Sequence, residues 1–118
     1  MTKERPVIKK IIKENMSDFE LFQNTTIRPI IKMQHELLLA FLNSYLQKRK
    51  IDFSSISEEK KKLKIKSILE KDIQFRNMVL GSILGHFSVD EYKEYYTNAS
   101  EMNRRIIKIT MKRYQDSF

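Results

Sequence analysis

Five polar side chains fall among apolar neighbours in this sequence and are the first candidates for site chemistry: Gln34, His35, Asp72, Arg76 and His86. Asp72 and Arg76 are four residues apart, a spacing that brings them onto one helix face. Ile73, Leu80 and Ile83 share that side with Arg76, so the pattern predicts a charge pair turned toward the interior. A buried arginine needs an acceptor, and Asp72, Glu36 or a carbonyl would serve. Left without one, its forked donors would bind a carboxylate or phosphate. Gln34 lies among Ile30, Ile31, Leu37, Leu38 and Phe41, where a polar amide takes a neighbouring partner, with Arg76 a candidate. His35 borders the same stripe as a packed or rim residue. His86 follows Gly85 at a helix end, where the dipole suits a capping cation better than a catalytic base. The five together define a candidate buried polar or anion site centred on Arg76.

No catalytic motif supports that site. The chain lacks Glu-x-x-His, His-Glu-x-x-His, a glycine-rich phosphate loop and a nucleophile elbow. With no cysteine and two histidines it offers neither disulfides nor a thiolate metal site, so no metal and no cofactor is expected. An enzyme is the weakest of the function classes.

The elements that would position these residues read as helices. A length of 118 residues allows one domain with one modest core. Two glycines and two prolines supply too little turn chemistry for a hairpin-built fold. Residues 1–16 form a candidate N-terminal arm, with Val7, Ile8, Ile11 and Ile12 on one side of a short helix that must dock to be stable. Ser17-Asp-Phe-Glu20 has capping-box spacing. Asn24-Thr25-Thr26 reads as a turn, with Thr26 the N-cap of a helix running past Pro29 to about Lys50. A charged helix follows, capped by Ser55 or Ser57. Residues 72–87 read as a helix apolar nearly all round, hence central. Whether it continues from residues 57–71 or breaks at Asp72 is left open by the pattern. Ser88-Val-Asp-Glu91 is a second capping box, and Ser100 starts the last helix. The fold class is therefore all-α, a compact bundle of five or six mostly antiparallel helices.

Gly81 and Gly85 place two small residues on one side of the central helix, where another backbone would approach closely. The net charge of +8 is not even along the chain. Residues 1–14, 47–71 and 104–118 are positive, while 15–46 and 72–103 are slightly negative. Lys60, Lys61 and Lys64 in one segment, with Arg104, Arg105, Lys108 and Lys112 in another, make a candidate nucleic-acid face. The tyrosines lie in the acidic segment, so no aromatic-plus-basic stacking platform is expected.

The run Phe22-Gln-Asn-Thr-Thr-Ile-Arg-Pro-Ile-Ile-Lys-Met-Gln34, with Arg76 through Gly85-His-Phe-Ser88 and the Glu91/Tyr95 step, resembles a family of short, uncharacterised all-helical proteins from Bacteroidetes-type bacteria, some carrying the label "glyoxalase". The resemblance spans roughly residues 17–116. It implies a helical bundle and carries no activity or site residue. A glyoxalase metal site needs His and Glu side chains on strands, or a His-rich motif, and this sequence has neither.

The reading that leads is a small cytoplasmic interaction or structural module that self-associates or binds a protein partner. Acidic Glu91, Glu94 and Glu101 next to strongly basic segments favour such complementarity. A basic-face nucleic-acid-associated protein comes second, and an enzyme or small-anion binder at Arg76 third. No segment is apolar enough for a membrane span.

Overall fold

In a computed structural model of the chain, residues 3–6 and 17–118 are described. The amphipathic arm expected around Val7, Ile8, Ile11 and Ile12 lies outside them. The described residues are all-α and carry no strand.

Helix α1 (Asp18–Phe22) starts at Ser17, whose side chain accepts the Glu20 N–H at 3.1 Å. It does not stop at the expected turn. Residues Gln23–Ile27 continue as a π turn into α2 (Arg28–Met33). Pro29 is the cause. It has no N–H to give, and its ring would strike the carbonyl four residues back. The wider π spacing avoids this, and the Arg28 N–H reaches the Gln23 carbonyl instead. Asn24, Thr26 and Ile27 are buried in that turn, so Thr26 is not a helix N-cap; its hydroxyl donates to Glu91 at 3.3 Å.

A break at Gln34 (φ −91°, ψ 10°) separates α2 from α3 (His35–Lys48), where one helix was expected. The end of α3 is a Schellman motif: Ile51 N–H bonds the Leu46 carbonyl at 2.9 Å and Lys50 N–H the Gln47 carbonyl at 3.1 Å. Lys50 takes the left-handed position at φ 55°, which glycine usually fills. Helix α4 (Glu58–Lys71) is capped by Ser57. The chain then breaks at Asp72, which ends α4 and caps α5 (Ile73–Leu84) through the Phe75 N–H at 3.0 Å. Helix α6 (Val89–Tyr96) opens with a full capping box between Ser88 and Glu91. Helix α7 (Ala99–Ser117) follows Asn98.

The central element is α7, not the 72–87 helix. It packs on α4, α5, α6 and the π turn. Met102, Ile106, Ile107, Thr110 and Tyr114 form its buried side, against Ile27, Ile30, Leu38, Ile65, Leu69 and Val79 in the common core. Helix α5 buries only the row Phe75, Val79, Ile83 and leaves Ile73 70% exposed. Its apolar composition all round did not translate into burial all round. The close-packed face expected at Gly81 and Gly85 is also not used within the described residues. A Cβ at Gly81 would meet nothing within 4 Å, and one at Gly85 only the Gly81 carbonyl.

Residues 3–6 lie across the bundle. Arg5 bonds Glu91 at 2.6 Å and the His86 carbonyl, while Lys3 bonds the Gln34 side chain. Burial raises the Glu91 carboxyl, but hydrogen bonds from Arg5, the Ser88 N–H and Thr26 outweigh it and hold the group below its ordinary value.

Two outcomes are expected in urea unfolding. Ile106→Ala removes a fully buried side chain from α7 and costs about 2–5 kcal/mol, whereas Ile73→Ala stays within about 0.5 kcal/mol; equal losses would restore α5 as the central helix. Lys50→Gly relieves the left-handed strain and raises stability by about 0.5–1 kcal/mol.

Candidate functional site

The five residues first considered do not converge. Asp72 faces α3, accepting Tyr45 OH at 3.0 Å and Arg49 at 3.3 Å as well as capping α5. These bonds, led by the Phe75 N–H, hold its carboxyl below the ordinary range. As the N-cap its side chain turns back over its own helix start, so it is not engaged with Arg76 one turn on. Arg76 is half-buried and makes no side-chain hydrogen bond or ion pair among the described residues. Gln34 is buried, and its amide donates to the Ser82 carbonyl at 3.2 Å rather than engaging Arg76. His86 is exposed. His35 turns away to α7, where Arg113 Nη1 lies 3.1 Å from its Nδ1.

That contact leads to a broad groove of about 1100 Å³ between α7 and the α1–π–α2 rod. Its cations are Arg28, Arg104, Arg105, Lys108, Lys112 and Arg113; its acids are Glu20 and Asp116. Gln23, Asn24, His35 and Ser117 complete the polar lining, and among the described residues no aromatic ring lines it. Charge reaches the groove because of how α7 is phased. Burying Met102, Ile106 and Thr110 turns Arg104, Lys108 and Lys112 outward in one row, four residues and about 6 Å apart along the axis. The π turn then brings Asn24 and Arg28 to the opposite wall.

Part of this charge is neutralised within the chain. Glu101 accepts from Arg104 at 2.8 and 2.9 Å and from Arg105 at 2.8 Å. Those hydrogen bonds hold the Glu101 carboxyl down at about 2. Arg105 also donates to Gln23 at 2.9 Å and lies over the Phe19 ring, tying α7 to the rod. Lys112 pairs with Asp116 at 3.0 Å. Arg28, Lys108 and Arg113 have no carboxylate partner among the described residues. Burial, and next the charge of Arg28, lower the pKa of Arg113.

The candidate nucleic-acid residues thus divide. Arg104, Arg105, Lys108 and Lys112 share the groove, while Lys60, Lys61 and Lys64 do not line it. Lys61 is engaged with Glu58 and the Phe118 carbonyl. Arg28 and Arg113 complete the site. Arg28 had no periodic signal in the sequence, whereas Arg113 belongs to the same basic segment as Arg104, Arg105, Lys108 and Lys112.

Among the described residues no group of His, Asp and Glu side chains could hold a metal ion, and no helix is long and apolar enough to cross a membrane. Comparison with protein-family models, curated proteins and solved structures gives no match.

A carboxyl whose folded pKa lies below its unfolded one stabilises the fold fully above the unfolded value, and that contribution fades as pH falls toward the folded value. The Glu101 contribution is therefore complete above about 4.5 and lost on approach to about 2. Carbon-detected NMR should give a Glu101 midpoint near 2, moving up toward the ordinary range in Arg104→Gln/Arg105→Gln; an ordinary midpoint in the unaltered chain would contradict the paired geometry.

Proposed function

We propose that this protein is a non-catalytic helical module that binds a nucleic-acid backbone in the groove along α7. The observation that carries this reading is the concentration of six cations from two helices in one groove where, among the described residues, two acids face them. Arg104, Lys108 and Lys112 make a row suited to successive phosphates, and the lack of aromatics among the described lining residues favours backbone contact over base stacking. Binding of this kind is sequence-independent and salt-dependent. A cytoplasmic setting and kinship with the small bacterial helical proteins belong to the same proposal.

A second reading has its own support. Helix α6 exposes Val89, Tyr92 and Tyr96 beside Asp90 and Glu94, with the Tyr92 ring 6.1 and 5.9 Å from those of Tyr95 and Tyr96. An acidic aromatic helix and a basic groove on one chain are complementary, which favours self-association. A defined oligomer in native mass spectrometry that dissociates at raised salt would support it.

Fluorescence anisotropy with a single-stranded oligonucleotide separates groove binding from mere net charge. Lys108→Gln/Lys112→Gln should flatten the log–log salt slope by about 0.7 for each lysine that contacts a phosphate. Lys60→Gln/Lys64→Gln removes the same charge from α4 and should leave the slope nearly unchanged. Equal effects of the two pairs, or no binding at low salt, would overturn the groove reading.

A further inference from the structure

Arg28 and Arg113 differ from the other arginines of the groove. Arg104 and Arg105 are held by Glu101, yet these two have no carboxylate partner among the described residues. They are half-buried, and each is aimed by a neutral acceptor. Arg28 Nε donates to Asn24 Oδ1 at 3.1 Å, and Arg113 Nη1 to His35 Nδ1 at 3.1 Å. An arginine has no acceptor, so His35 Nδ1 takes the proton of that bond and the ring's own proton sits on Nε2. Each guanidinium offers five N–H donors and spends one on its brace. The remainder are available at the groove, on supports fixed by the proline-induced π turn on one side and by α7 on the other.

Two like charges held together at a partly buried spot oppose each other, and the lowered pKa of Arg113 reflects burial and then the charge of Arg28. A structural role would be served by a carboxylate between them, as Glu101 serves Arg104 and Arg105. The described residues supply none, and the donors of Arg28 and Arg113 left at the groove suit an anionic ligand there. A carboxylate ligand satisfies one guanidinium fork and leaves the second cation unmatched. A phosphate monoester carries up to two negative charges and three terminal oxygens, enough to engage both.

We propose that Arg28 and Arg113 form a discrete pocket for one phosphate monoester group, with His35 as the residue that positions Arg113. This goes beyond the backbone reading, since a diester backbone carries one charge per phosphate and needs only the row on α7. The group has two sources with the same chemistry, a terminal phosphate on a nucleic-acid strand and a small phosphorylated molecule.

The test uses the full chain and inorganic phosphate, followed by NMR and by thermal unfolding at constant ionic strength, with acetate as the comparison anion. Phosphate is expected to give saturable shifts at α2 and the end of α7 and to raise the melting temperature, and acetate to do neither. Arg28→Gln and Arg113→Gln, each checked for retained helicity, should weaken phosphate binding at least about tenfold, while Lys108→Gln/Lys112→Gln changes it by less than about threefold. His35→Ala should weaken it less than either arginine variant. Phosphate behaving like acetate would overturn the pocket, as would equal losses in the arginine and lysine variants. Arg28→Gln decides the question alone if Arg113→Gln fails to fold. Oligonucleotides of one sequence with 5′-phosphate or 5′-hydroxyl ends then separate the sources. A preference for the phosphorylated end that disappears with Arg28→Gln assigns the strand terminus; no preference, with phosphate binding intact, assigns the small molecule. Loss of oligonucleotide binding altogether would remove the backbone reading and leave the phosphate result standing.

Discussion

Burial of one side of α7 is the constraint on which the remaining structure depends. Ile106 and Thr110 are fully covered, and Tyr114 is 1% exposed with its hydroxyl bonded to the Leu38 carbonyl at 2.5 Å. Burial pushes that hydroxyl's pKa up, so it remains a neutral donor that fixes α7 to α3. Phe75 and Phe118 pack against the same ring. Once this side is fixed, helical phasing leaves no choice about where Arg104, Lys108 and Lys112 point. The basic groove is the outer consequence of the core.

The opposite wall depends on one residue without an N–H. Pro29 forces the chain into the π turn, and the turn sets Asn24 and Arg28 against α7 while keeping the α1–α2 path continuous. An ordinary turn would have ended the helix and released that wall. Gln23 to Arg105, and Phe19 under the same guanidinium, then hold the two walls together. Arg105 is thus divided between binding Glu101 and closing the fold, which sets it apart from Arg28 and Arg113.

At the other end, residues 3–6 tie separate elements into one unit. Arg5 joins the carboxylate of the α6 capping box to the carbonyl that follows α5, and Lys3 completes Gln34, whose amide already holds the Ser82 carbonyl. Glu91 serves as cap, ion-pair partner and acceptor for Thr26 at once. None of these residues lines the groove, so these links draw on none of its cations.

Local chemistry was legible in the sequence. Ser17 and Ser88 each begin a helix, the start of the charged helix was narrowed to Ser55 or Ser57, and the three- and four-residue apolar steps define an all-α chain, because capping and periodicity act over a few residues; the break at Asp72 was left open. The basic row on the last helix was legible for the same reason. Three things were decided only by tertiary structure. Residues 72–87 have apolar residues all round, but how many sides are covered depends on neighbours, and Ile73 and Met78 lie open. Asp72 and Arg76 have the spacing of a pair, yet Asp72 is drawn to its own helix start and to Tyr45 and Arg49. Arg28, His35 and Arg113 come together from residues up to 85 positions apart. Spacing along a chain fixes which residues share a helix face; only packing decides what that face meets.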